Sequence, residues 1–133
     1  MLNADMKIHP GVTGALVLGA LTFVIIQVLS EQQALDFLTA ILVAAASVYI
    51  GAALAGDNRS TLALETTAGL TFIAVALVGR WYASGILAWG YLAHGAWDIL
   101  HHRKIAGANT GETYPVLCWV YDWIIAAVIL IRF

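Results

Sequence analysis

Between positions 94 and 102 the chain reads His94-Gly95-Ala96-Trp97-Asp98-Ile99-Leu100-His101-His102, which gathers three of its four histidines and an aspartate. Imidazole and carboxylate are the side chains that bind transition metals, trade protons and anchor hydrogen-bond networks. The stretch closes an otherwise apolar segment, Tyr82–Leu100. On an α-helix each residue advances about 100°. With His94 at zero, His101 falls at about −20°, Asp98 at about +40°, Tyr91 at about +60° and His102 at about +80°. Five polar groups thus share one face. In a bilayer such a face is costly unless its groups satisfy one another or a ligand.

Two further acids fall at matching depth. Glu65 lies about one turn inside the third apolar segment, and Asp122 about two turns inside the fifth. His94, Asp98 and His101 lie about 10, 5 and 0 Å from the end of the fourth, at 1.5 Å per residue. Three chemistries fit the set. The first is a zinc or non-haem iron site, with ligands drawn from His94, Asp98, His101, His102, Glu65 and Asp122. His94 and His101 are too far apart along the helix to share an ion easily. His94 with Asp98, or Asp98 with His101 or His102, is the better-spaced pair. In that reading Glu65 or Asp122 serves as ligand or as catalytic general base, in metal-assisted hydrolysis or oxidation of a lipid-like substrate. The second is a proton or small-solute path. The third is a structural network that fixes helix packing, in a structural or assembly subunit of a membrane complex.

Composition supplies the setting. Of 133 residues, 62% are hydrophobic and 11% charged, against about 25% charged in a soluble domain. The chain reads as a single integral membrane domain, 1–133. The net charge of −2 and the lack of a basic run exclude nucleic acid as a partner. The bilayer is the expected partner, with a homo-oligomer or a membrane complex as further options. One cysteine, Cys118, excludes an internal disulfide and reads as a small buried hydrophobe.

Five apolar segments, about 11–29, 31–55, 61–78, 82–101 and 115–132, predict an all-α bundle of five transmembrane helices. Pro10 suits a first helical turn. Ser30 with Gln33 is a capping-box spacing that starts the second helix. Gly56-Asp57-Asn58-Arg59-Ser60 and Gly79-Arg80-Trp81 read as breaks. The longest loop runs from about 102 to 113. The first segment exceeds the roughly 7–15 apolar residues of a signal core, so a retained helix is expected. Lys7, Arg59, Arg103 and Lys104 fall on one side and Arg80 and Arg132 on the other, which predicts a cytoplasmic amino terminus. The ridges Gly11-Ala15-Gly19 and Ser47-Gly51-Ala55 read most simply as tight packing within the bundle. Tryptophans and tyrosines cluster toward the segment ends as an interfacial belt, and Trp97, Trp119 and Trp123 also suit an apolar pocket. His9 reads as a solvated flank.

Asp98-Ile99-Leu100-His101-His102 resembles one histidine box of membrane desaturases and hydroxylases, a polar ligand, two residues, then two histidines. Those enzymes use roughly twice as many histidines as the four here, so the resemblance does not extend to a complete di-iron centre in one chain. The wider pattern, with Tyr114-Pro115 following and Asp122 in the last segment, resembles small, uncharacterised bacterial multi-pass membrane proteins. That resemblance implies a fold and no activity; the expected location is the bacterial inner membrane.

Overall fold

The computed structural model describes residues 7–133. Five helices account for nearly all of them: α1 Pro10–Val28, α2 Glu31–Leu54, α3 Arg59–Tyr82, α4 Ser84–His102 and α5 Thr113–Arg132. The fold is all-α, as the five apolar segments imply, and α1, α2, α3 and α5 are long and apolar enough to cross a membrane. α4 carries the polar residues that lower its hydropathy, and it turns Tyr91, His94, Asp98 and His101 inward.

Local chemistry explains the helix ends. His9 caps α1, its Nδ1 accepting from the Gly11 N–H at 3.1 Å, so this histidine does more than flank the helix. Ser30 and Gln33 form the anticipated capping box at α2, each side chain accepting from the other's backbone N–H at 3.3 and 3.0 Å. Asn58 caps α3, accepting from Thr61 N–H at 3.1 Å, which starts the helix at Arg59. α4 ends in a Schellman turn: Ile105 N–H donates to Leu100 carbonyl and Lys104 N–H to His101 carbonyl, both at 3.0 Å. Lys104 supplies the left-handed residue at φ 55°.

One expected break is displaced. α3 continues through Gly79-Arg80-Trp81 and stops at Ala83, whose extended backbone caps both α3 and α4. Gly79 is helical, and its lack of a side chain lets α4 fold back directly over it. A Cβ there would lie 2.4 Å from the backbone nitrogen of Leu87. Arg80 bonds Asp36 of α2, tying α3 to its neighbour near that turn.

Packing follows the order α1, α5, α4, α3, α2, with α2 also touching α4. α1 and α2 are consecutive, yet α1 lies chiefly along α5 and α2 along α3. Lipid tails are as apolar as leucine, so such helices associate through close packing. The α1 ridge behaves this way: Gly11, Ala15 and Gly19 are buried, and a Cβ on Gly11 would lie 2.8 Å from the Thr113 carbonyl. The α2 ridge does not. Ser47, Gly51 and Ala55 are exposed, and nothing lies within 4 Å of the position a Gly51 Cβ would take. α2 instead buries the opposite face, with Leu38, Leu42, Ala46, Tyr49 and Ala53.

Candidate functional site

Two polar clusters lie near the end of the bundle that holds Pro10, Leu54, Arg59, His102 and Thr113. Tyr49 links them. Counted from those helix ends, Asp98 and Tyr49 sit about 6–8 Å deep and His94 and Asp122 about 12–14 Å deep, at 1.5 Å per residue. Among the described residues, five of the six sequence candidates fall in these clusters, three in one and two in the other.

The first cluster is His94, Asp98 and Asp122, all essentially inaccessible. His94 Nδ1 is 2.7 Å from Asp122 Oδ2 on α5 and 3.2 Å from Asp98 Oδ2, one turn along α4. Tyr49 of α2 donates its hydroxyl proton to Asp98 Oδ1 at 2.5 Å. Ligand atoms of the three residues all fall within 4.8 Å of one another. The helices can approach this closely because Gly95 faces α5. A Cβ there would lie 2.7 Å from the Trp123 ring and 3.3 Å from the Trp119 carbonyl. Trp123 in turn donates its indole N–H to the Leu92 carbonyl at 3.3 Å. Phe72 of α3 packs edge-on to the His94 ring at 5.0 Å.

The second cluster is Glu65 with His101. His101 Nε2 and Glu65 Oε1 are 2.6 Å apart. His101 Nδ1 is 2.9 Å from the Trp97 carbonyl, an acceptor only, so Nδ1 carries a proton. Glu65 Oε1 also accepts from Ala108 N–H at 2.7 Å, and Oε2 from the Trp97 indole at 3.3 Å. The α4–α5 loop closes over this pair through Gly107, at φ 93°. A Cβ at Gly107 would lie 2.0 Å from His101 Nε2 and 2.3 Å from Glu65 Oε1. The Tyr49 ring stacks on the His101 ring at 3.9 Å.

Hydrogen-bond accounting separates the two clusters. In the pair, both carboxylate oxygens and both ring nitrogens have partners, so it is closed. The trio is open. His94 Nε2 has no partner, and Asp98 Oδ2 forms no aligned hydrogen bond despite its 3.2 Å approach to His94. A buried polar atom left unpaired costs free energy and calls for an explanation. Charge makes the same point. Two carboxyl groups face one imidazole, and no lysine or arginine joins them among the described residues.

Glu65 and His101 therefore stand apart from the trio, each committed to the other. His102 is exposed and joins neither cluster. Tyr49 is not evident as a site residue in the sequence. Its only signal was a lone phenol in an alanine-rich apolar helix, at the depth of Asp98. Trp97 binds Glu65, whereas Trp119 and Trp123 lie edge to face at 5.5 Å beside Gly95. Cys118 is buried, as read.

Fold and site define a small all-helical membrane protein with an ionisable cluster buried inside its bundle. The chain belongs to a family of unknown function, DUF6010, whose pattern matches residues 11–132. No curated protein and no solved structure matches it.

Proposed function

We propose that this protein is an inner-membrane metal-binding protein that holds one divalent transition-metal ion, zinc or ferrous iron, on His94, Asp98 and Asp122. The observation that carries this reading is the open, converging trio. Three donors of the type that bind such ions meet within 4.8 Å, in a dry interior, with two potential negative charges and one imidazole. Neutral imidazole, two carboxylates and a divalent cation sum to zero charge, which suits burial. Metal–ligand bonds of 2.0–2.2 Å imply ligand–ligand edges of about 3.4 Å. The 3.2 Å edge between His94 and Asp98 is close to that, and the 2.7 Å edge to Asp122 needs a small withdrawal of one carboxylate. Tyr49 acts as a positioning residue, fixing the Asp98 carboxylate from behind. The distribution of basic residues supports a cytoplasmic amino terminus, and with it a site in the cytoplasmic leaflet. A metal held there supplies a Lewis acid able to polarise an oxygen ligand.

One observation favours a second reading. Tyr49, Asp98, His94 and Asp122 form a near-continuous chain of short contacts, which suits a proton path or a purely structural network. Variants separate the two readings. His94→Ala and Asp122→Ala, purified without chelators, should each hold less than a tenth of the metal bound by wild type while remaining membrane-inserted. Metal content unchanged in both variants refutes the metal reading and leaves the proton or structural network.

A further inference from the structure

Because α1 lies on α5 and α2 on α3, a groove of about 470 Å³ is left between α1 and α2, floored by α5. Its walls are apolar, with Leu18, Leu21 and Ile25 on α1 and Ile41, Ala45 and Val48 on α2. Its volume is that of a small-molecule site. Leu18, Leu21, Ile25 and Val48 are exposed at its margins, within helices apolar enough to span a bilayer, so it opens sideways onto hydrocarbon. The floor is different. It includes Asp122, the residue whose carboxylate lies 2.7 Å from His94 Nδ1.

We propose that this groove takes the alkyl chain of a neutral, oxygen-bearing lipid, a long-chain alcohol, aldehyde or acylglycerol, with its oxygen directed to the His94–Asp98–Asp122 cluster. The proposal rests on the metal reading above. Hydrocarbon gains almost nothing by leaving bilayer for an equally apolar groove, so selectivity must come from the polar end. The cluster with a divalent ion is already neutral, and an anionic head group would add an uncompensated charge to a dry site. A neutral oxygen adds none. It also matches the cluster: a three-ligand ion keeps an open position, and of the three ligands Asp122 lines the groove. A second apolar depression, about 540 Å³ between Thr67, Leu70, Val78 and Ile86, has comparable volume but none of the cluster residues in its lining. It is an internal control.

The test is photolabelling of zinc-reconstituted protein in phosphatidylcholine vesicles, with hexadecanol or hexadecane bearing the same mid-chain diazirine. Labelled residues are read by peptide mass spectrometry, and zinc is measured in each sample. Hexadecanol should label Leu18, Leu21, Ile41 or Val48 about fivefold or more above Leu70 and Val78, a margin equivalent to one good polar contact. Hexadecane should show no such preference. Ala45→Leu, which fills the groove wall while leaving the cluster intact, should abolish the preference and keep the zinc. Equal labelling of both depressions with zinc bound overturns the lipid proposal alone. Preferential labelling without bound zinc supports the groove and overturns the metal reading alone. A dimer in native mass spectrometry that Ala45→Leu dissociates places a second copy in the groove and overturns the proposal.

Discussion

Tyr49 shows how one side chain can serve two clusters. Its hydroxyl donates to Asp98 while its ring covers His101, so Tyr49→Phe removes the first interaction and keeps the second. Loss of a buried hydrogen bond to a charged acceptor costs about 1.5–3 kcal/mol. Tyr49→Phe should therefore lower the thermal unfolding temperature and weaken zinc affinity without abolishing it. Affinity identical to wild type would show that the phenol does not position Asp98. Gly107 is the complementary case. Gly107→Ala strains a residue at φ 93° and drives a methyl group into the Glu65–His101 pair. Breaking a buried pair costs about 3–5 kcal/mol, so this one methyl should destabilise more than Tyr49→Phe, as thermal unfolding will show. An unfolding temperature within a degree of wild type would mean that the loop does not close over the pair. At this scale the sequence disclosed residue types and depth but not partners. Helical geometry put His94, Asp98 and His101 on one face. It could not show that His101 turns to Glu65, because that choice depends on how α3 and the 103–112 loop meet α4.

Among the elements, the α4–α5 contact decides whether a site exists, since His94 and Asp98 come from one helix and Asp122 from the other. Gly95 permits the approach. Gly95→Val should overpack this seam at a cost of about 1–3 kcal/mol and separate the ligands. Its expected signature is combined loss of metal and thermal stability, whereas Gly51→Ala, facing open space on α2, should lower neither. Retention of full metal by Gly95→Val would refute the seam's role. Helix number and the starts of α1 and α2 were legible because Pro10 and Ser30-Gln33 act within a few residues of themselves, whereas the Asn58 cap that starts α3 at Arg59 reads only as part of a break. The end of α3 was not legible either. A glycine and an arginine read as a turn in isolation, while their real roles, close approach to Leu87 and a bond to Asp36, involve residues outside α3. The exposure of the α2 ridge was hidden for the same reason. A four-residue repeat of small side chains marks a face but not its partner.

For the whole molecule, composition alone indicated the bilayer, and the inward turn of every buried ionisable group agrees with it. The orientation proposed from Lys7, Arg59, Arg103 and Lys104 puts the cluster in the cytoplasmic leaflet. A reporter fused after Phe133 should then lie outside the cytoplasm and one inserted at Gly107 inside it. Both on one side would remove the five-span arrangement. A bound ion also makes the molecule's affinity pH-dependent, because metal and proton compete for the same donors. Zinc affinity should fall as pH falls, by about tenfold per unit for each proton displaced. Elemental analysis of gently purified protein is the sharpest test of the buried trio as a metal centre. A metal centre there requires close to one equivalent of zinc or iron per chain, as isolated or after reconstitution. Less than a tenth of an equivalent of any transition metal, including after exposure to zinc and to ferrous iron, would contradict it.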